Sequence, residues 1–111
     1  MAFPLRAAYR LREPGENNLQ FLITIPKKRI RRAVNRVTLR RRVRESYRLN
    51  RHDLLTPVLE QHGIGVDIAF VYLDNSPAPF SVINEKMTSL LTRIALAVAE
   101  RDNQTQHQDQ Q

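Results

Sequence analysis

The sequence predicts an α/β (α+β) two-layer sandwich with the element order β-β-α-β-α. Two segments near the N-terminus alternate apolar and polar residues with a period of two, which is typical of half-buried strands. An arginine-rich segment with apolar residues at helical spacing follows, and a β-branched run then predicts a third strand before a last helix. The 111 residues leave room for one domain, which we place at residues 1–101, followed by a tail at residues 102–111.

The first strand is predicted over residues 3–12, and its apolar face consists of Leu5, Ala7, Tyr9 and Leu11. Residues 13–18 are rich in turn formers, and residues 19–25 predict a second strand with alternating large apolar side chains. Pro26 ends this strand, because proline cannot donate a hydrogen bond to a sheet. The two strands are therefore predicted to pair as an antiparallel hairpin.

The basic segment that follows shows two helical stripes of different phase. The first stripe consists of Ile30, Ala33, Val34 and Val37. The second lies about 200° away at 100° per residue and consists of Leu39, Val43, Ser46, Tyr47 and Asn50. This change of phase predicts a break between Asn35 and Thr38, and either side chain could cap the longer helix, which is predicted to end near Arg51.

The C-terminal part predicts one strand and one helix. Pro57 and the glycines on either side of Ile64 end the basic region, and residues 66–73 predict the third strand. Ser81 is the predicted N-cap of the last helix. The stripe that we expect to face the core consists of Ile83, Met87, Leu90, Leu91, Ile94 and Val98. Residues 102–111 contain no apolar side chain, which predicts a disordered polar tail.

Positive charge is concentrated in one segment. The chain has 18 Lys and Arg against 11 Asp and Glu, a formal charge of +7. Residues 27–51 contain twelve of the cations and a single acid, Glu45, so this segment carries +11 and the rest of the chain carries −4. Like charges side by side on one helix cost stability unless a polyanion neutralises them, whereas ordinary surface helices mix both signs. The segment therefore predicts binding to nucleic acid, through a stripe made of Arg40, Arg41, Arg44, Arg48 and Arg51.

The sequence argues against several other classes of function. It has no cysteine and no apolar run of bilayer length, which predicts a soluble protein of the reducing cytoplasm. His52, His62 and His107 are far apart in the sequence and are interpreted as surface residues. There is no glycine-rich phosphate loop, nucleophile elbow or close pair of acids, so we predict neither catalytic nor metal-binding residues.

Residues 27–49, KKRIRRAVNRVTLRRRVRESYRL, resemble the signature of the bacterial ribonuclease P protein component. In that signature two lysines after a strand lead to an Ala-Val pair and then to an Arg-Asn-Arg-x-x-Lys-Arg-type helix. The flanking strands and the last helix also follow the family's order. The helix motif falls on Arg36, Val37, Thr38, Arg40, Arg41 and Arg44. Because Val37 and Thr38 replace the motif's Asn and second Arg, their contacts are expected to be lost or to move to Arg40, Arg41 and Arg42.

The resemblance implies the protein subunit of ribonuclease P, in which the RNA carries the active site and its magnesium ions and removes the 5′ leader of precursor tRNA. It implies that the protein binds no cofactor, contacts the catalytic RNA and the tRNA leader, and has no membrane partner; the oligomeric state stays open. The implied RNA contacts are Lys27, Lys28, Arg29, Arg31, Arg32, Arg36, Arg40, Arg41, Arg44 and Arg48. The implied leader-binding cleft consists of Ala7, Tyr9, Thr24 and Lys28.

The resemblance also implies a ribosomal-protein-domain-like fold in which a left-handed β-α-β crossover passes through the basic helix. The helix that precedes the first strand in the family is expected to be missing here. For Tyr9, core packing and base stacking are equally compatible with the strand pattern.

Two other hypotheses compete with this one. The first is a stand-alone RNA- or DNA-binding module, such as a ribosomal or regulatory protein, that uses the same basic helix without an enzyme. The second is an intrinsic nuclease, which the lack of catalytic residue patterns disfavours.

Overall fold

The computed structural model describes residues 4–13 and 19–109, with side chains described for residues 4–13 and 20–100. The elements are β1 (Leu5–Arg12), β2 (Leu19–Thr24), α1 (Ala33–Leu54), α2 (Thr56–His62), β3 (Gly65–Tyr72) and α3 (Phe80–Asp109). Three strands and three helices form a compact α+β fold, which agrees with the predicted class, although the predicted order lacked α2. Helix α3 continues to Asp109 and so includes most of the segment predicted to be a disordered tail; the domain boundary at residue 101 stays a prediction.

The three strands form one sheet in the order β1-β3-β2. Strand β1 runs antiparallel to β3, with Ala7 opposite Phe70, and β2 runs parallel to β3, with Phe21 opposite Ile68. The predicted hairpin of β1 and β2 is therefore wrong, because β3 lies between them. Strand β3 takes the central position; its buried residues alternate with Asp67, Ala69 and Val71, which lie on the opposite face.

The hydrophobic core lies between the sheet and the helices α1 and α3. Strand β3 contributes Val66, Ile68, Phe70 and Tyr72, and β1 contributes Leu5. The predicted stripes of both long helices are confirmed except at Asn50, which is half-buried: Leu39, Val43, Ser46 and Tyr47 are buried on α1, and all six predicted residues are buried on α3. Tyr47 lies between two other rings, 4.2 Å from the ring centre of Phe21 and 5.8 Å from that of Phe70. The core thus fixes the rotation of α1 about its axis.

Helix α1 is continuous from Ala33 to Leu54, so the predicted break and the predicted caps are wrong. Thr38 lies inside the helix, where its hydroxyl donates to the carbonyl of Val34 at 3.0 Å. Arg32 is at the N-cap position and makes no side-chain capping bond. The break was expected because Ile30 matched a helical stripe, but Ile30 is buried before the helix begins, while Val34 and Val37 are exposed.

Two further helix ends differ from the prediction. Pro57 does not end the helical region but lies in the first turn of α2, where the missing amide of proline leaves no bond unmade. This helix ends at Gly63, whose φ of 63° is the left-handed conformation that glycine adopts easily. Helix α3 begins at Phe80, and the carbonyl of Pro79 accepts the amides of Val82 and Ile83. Ser81 is therefore in the first turn rather than at the cap.

Candidate functional site

The turn between β2 and α1 presents exposed cations from a fixed backbone. Ile25 and Ile30 are both buried, and they anchor the two ends of the turn in the core. The amides of Arg29 and Ile30 donate to the carbonyl of Pro26, each at 3.1 Å. The side chains that this turn exposes are Lys27, Lys28, Arg29, Arg31 and Arg32.

An open groove on α1 collects four arginines; we call it the arginine groove. Its lining residues are Val37, Arg40, Arg41, Arg44, Glu45 and Arg48. Arg40, Arg44 and Arg48 succeed one another at a spacing of four residues, which places them about 6 Å apart along the helix axis. Because Leu39, Val43 and Tyr47 are fully buried, the helix cannot turn this row away from solvent.

Three other arginines of the basic segment are half-buried, and two of them bond inward. Arg36 donates from Nη1 to the carbonyls of Ile30 and Arg31, at 2.9 and 2.8 Å. Arg42 donates from Nη1 to the carbonyl of Ala78 at 2.6 Å. Arg51 is half-buried, and its Nε is buried without a hydrogen bond in the described part of the chain. The structure thus assigns Arg36 and Arg42 to holding the turn and the loop before α3, rather than to the exposed RNA face expected for them.

A second basic concavity lies where the turn meets the loop between β3 and α3. Its lining residues are Lys28, Arg29, Ile30, Arg31, Arg32, Asn35, Asn75 and Pro77. Within that loop the carboxylate of Asp74 accepts the amide of Asn75 at 2.7 Å. The hydroxyl of Tyr72 donates to the carbonyl of Ser76 at 2.5 Å and accepts the amide of Ala78 at 2.8 Å. These bonds fix the conformation of the loop, and Arg29 Nη1 of the basic turn donates to Asn75 Oδ1 at 3.5 Å.

The four predicted leader-cleft residues do not share one surface. Ala7 and Tyr9 are on the helix-packed face of the sheet, because they pair with the buried Phe70 and Ile68. Thr24 pairs with Val71 and is exposed on the opposite face. Lys28 is exposed in the turn. Tyr9 is 44% exposed although its face packs against the helices, so the structure supports neither full core packing nor a ring on the open face.

The opposite face of the sheet, which we call the open face, carries a charged cluster. Asp67 of β3 accepts hydrogen bonds from Arg10 Nη2 at 3.0 Å and from Arg12 Nε at 2.9 Å. These two bonds hold the pKa of the Asp67 carboxyl below its ordinary value. Leu22 of β2 is exposed on the same face. The open face therefore combines oriented guanidinium groups with apolar surface.

Two buried tyrosines are the other described groups whose pKa departs from the ordinary value. Burial raises the pKa of Tyr47 and of Tyr72, and a nearby arginine partly offsets the effect in each. Across residues 4–13 and 20–100, no three His, Cys, Asp or Glu side chains gather in a group that could hold a metal ion. Among the described helices, none is long and apolar enough to cross a membrane.

A family model described as Ribonuclease P matches residues 4–95. Two curated relatives, each named ribonuclease P protein component, come from two strains of Porphyromonas gingivalis. They are 41% identical to this chain over 96 residues and 40% identical over 98 residues. Both matches cover 86% of this chain and 69% of the relative. The chain belongs to the ribonuclease P protein family. No solved structure matches it.

Membership of the ribonuclease P protein family defines the general role of the chain. It is a protein subunit of ribonuclease P, the endoribonuclease whose general role is to remove the 5′ leader of precursor tRNA. Its partners in general terms are the ribonuclease P RNA and precursor tRNA. Of the three hypotheses drawn from the sequence, the first is the one that these similarities support.

Two features of the site go beyond what sequence reasoning found. Arg42 lies two positions before Arg44, which rotates it to the other flank of the buried stripe, so helical phase alone could have separated it from the arginine groove. The cluster of Asp67 with Arg10 and Arg12 depends on the register of β1 against β3. No local sequence signal gives that register, because the two strands are more than 50 residues apart.

Proposed function

We propose that the arginine groove binds the phosphate backbone of the ribonuclease P RNA. The observation that carries this proposal is that four arginines line one groove, and none of them forms an ion pair with a described acid. A guanidinium group holds a phosphate through two parallel hydrogen bonds. From Arg40 to Arg48 the helix rises about 12 Å, enough for two or three successive phosphates.

The exposed cations of the turn extend this contact. Lys28, Arg29, Arg31 and Arg32 line the second concavity, and Lys27 is exposed beside it. They share no lining residue with the arginine groove, so we assign them to a separate stretch of the same RNA. The hydrogen bonds of Arg36 already order this turn in the free protein. Less conformational entropy is therefore lost when the turn binds RNA.

The tRNA leader is assigned to the open face of the sheet. Thr24 lies on this face, and Arg10 and Arg12 are held there by Asp67. Lys28 is exposed in the turn that follows β2. A single strand of RNA needs both cations for its phosphates and apolar surface for its bases, and Leu22 supplies apolar surface. Ala7 and Tyr9 lie on the other face and are left out of this path.

Magnesium is assigned to the RNA. The reaction needs a metal-bound nucleophile or an equivalent activation of water, and the described side chains offer no group of ligands for it. We therefore infer that the protein itself binds no cofactor and acts by binding and orienting RNA. A cytoplasmic location follows from the proposed substrate, since bacterial tRNA precursors are made there. For the crossover from β2 to β3 we retain the left-handed path that the family implies.

The test uses the full chain with the ribonuclease P RNA of Porphyromonas gingivalis and a precursor tRNA. At low magnesium the wild-type protein is expected to restore leader cleavage that the RNA alone performs poorly. Arg40→Ala combined with Arg44→Ala is expected to weaken binding to the RNA at least about ten-fold, because two charge-assisted contacts are lost. The melting temperature is expected to stay unchanged, since both side chains are exposed.

The control removes the same charge elsewhere. Lys86→Ala combined with Arg93→Ala takes two positive charges from α3, away from the groove, and is expected to leave affinity within about two-fold. Equal weakening by both pairs would mean that net charge, and not the groove, drives binding. If the wild-type protein gives no stimulation while the Porphyromonas gingivalis protein does, the role in this holoenzyme is refuted.

A further inference from the structure

Glu45 is the one acid among the twelve cations of residues 27–51, and it lines the arginine groove. Its side chain is exposed, and within the described part of the chain it forms no ion pair with Arg41 or Arg48, its neighbours one helical turn away on each side. Arg41 precedes it by four residues, which is the less favourable order for a helical ion pair. The carboxylate is therefore available to a ligand in the groove.

A groove that bound only phosphates would have no use for this carboxylate. Phosphate and carboxylate repel each other, and Glu45 lies between arginines that are proposed to bind phosphate. Val37, which is 54% exposed in the same groove, also offers nothing to a phosphate. One acceptor group and one apolar side chain amid four guanidinium groups match an RNA strand whose bases face the helix while its phosphates contact the surrounding arginines.

Among RNA bases, guanine fits a carboxylate best. Its Watson–Crick edge has two adjacent donors, N1–H and the N2 amino group, which face the two oxygens of a carboxylate. Adenine, cytosine and uracil each have a single donor group on that edge. Two parallel hydrogen bonds to an ionised acceptor are shorter and stronger than neutral ones. The edge is free only when the guanine is unpaired.

We propose that Glu45 accepts hydrogen bonds from N1 and N2 of an unpaired guanine in the ribonuclease P RNA. Arg41 and Arg48, one helical turn before and after Glu45, bind the phosphates on either side of the base. This assignment rests on the proposed binding of that RNA by the arginine groove. Helix α1 would then recognise one base as well as bind phosphates, and Glu45 would be the residue that determines base specificity.

The first experiment uses kethoxal, which reacts with N1 and N2 of unpaired guanines. The Porphyromonas gingivalis ribonuclease P RNA is probed alone, with the wild-type chain, and with Glu45→Gln. The wild-type chain is expected to protect at least one guanine that Glu45→Gln leaves reactive, because the glutamine amide can accept only one bond and brings donors of its own. Glu60→Gln on α2, an exposed acid outside the groove, is the matched control and is expected to protect like the wild type.

The second experiment replaces the protected guanine with inosine, which lacks the N2 amino group. The wild-type chain is expected to bind the inosine RNA about ten-fold more weakly, and Glu45→Gln is expected to bind both RNAs equally. If Glu45→Gln tightens binding to both RNAs and keeps every guanine protected, Glu45 acts through its charge alone and the proposal is overturned. Wild-type chain that binds without protecting a guanine also overturns it. Failure to bind the RNA at all refutes the proposed function instead.

Discussion

Tyr47 carries a hydroxyl group that the core buries without a hydrogen bond in the described part of the chain. Its ring packs between Phe21 and Phe70, so the ring contributes burial while the hydroxyl contributes an uncompensated loss of hydration. Burial raises the pKa of this hydroxyl, and the Arg51 guanidinium offsets the effect only in part, through its charge and as a hydrogen-bond donor to the ionised form. At Tyr47 the ring therefore stabilises the fold, while the hydroxyl group does not.

Tyr47→Phe is expected to leave the free energy of unfolding at pH 7 unchanged or to raise it by up to about 1 kcal/mol. Because burial raises the pKa of Tyr47 in the folded state, the free energy of unfolding falls as pH rises above the unfolded pKa of about 10, since the unfolded chain then loses the proton first. The variant should therefore lose less stability between pH 9 and 11 than the wild type. Urea unfolding curves across this pH range measure both effects.

Tyr72→Phe provides the contrast. Tyr72 is equally buried, but its hydroxyl bonds to the carbonyl of Ser76 and to the amide of Ala78. Its removal leaves a buried amide unpaired and is expected to cost about 1 to 3 kcal/mol. If Tyr47→Phe lowers the free energy of unfolding by more than about 1 kcal/mol at pH 7, the Tyr47 hydroxyl has a hydrogen-bond partner in the folded protein and is not an uncompensated buried group.

Helix α1 shows what periodicity can and cannot predict for an element. The stripe of Leu39, Val43 and Tyr47 follows from spacing alone, because burial repeats wherever a helix lies on a core. The predicted break does not hold, because Ile30 belongs to the preceding turn and is buried for a different reason. Apolar residues at the N-terminal end of a helix do not have to reach the core, as the exposed Val34 shows.

A pair of leucines on α1 tests this rotation of the helix. Leu39 is fully buried and Leu49 is 61% exposed, so the same substitution samples the two sides of one helix. Leu39→Ala is expected to lower the free energy of unfolding by about 2 to 5 kcal/mol through lost burial and the cavity left behind. Leu49→Ala is expected to stay within about 0.5 kcal/mol of the wild type. Similar melting temperatures for the two variants would contradict the orientation of α1.

The molecule as a whole could be predicted in class but not in topology. Alternation identified β1 and β2, and a β-branched run identified β3. The pairing of β1 with β3, however, joins segments far apart in the chain, and local patterns contain no information about such contacts. The same limit applies to the site. The exposed row of Arg40, Arg44 and Arg48 follows from helical phase, whereas the separation of Tyr9 from Thr24 follows from sheet register.

The fold divides the cations of the basic segment into an exposed group and a half-buried group. Of its twelve cations, nine are exposed, whereas Arg36, Arg42 and Arg51 are half-buried. If all nine contact phosphates, a plot of the logarithm of the RNA association constant against the logarithm of the salt concentration should fall with a slope of about 6 to 8. The three half-buried cations should add nothing to this slope. Adjacent residues Arg41 and Arg42 separate the two classes, because each loses one positive charge on substitution but only Arg42 bonds inside the fold.

Arg41→Ala is expected to flatten the salt dependence of binding to the ribonuclease P RNA by about 0.7 to 0.9 in slope, without changing the melting temperature. Arg42→Ala is expected to do the reverse: it loses the bond to the carbonyl of Ala78, lowers the free energy of unfolding by about 1.5 kcal/mol, and keeps the slope of the wild type. Fluorescence anisotropy between 50 and about 300 mM salt, together with thermal unfolding, measures both quantities. If the two variants flatten the slope equally, the RNA senses the total charge of α1, and the division between its two sides has no role in binding.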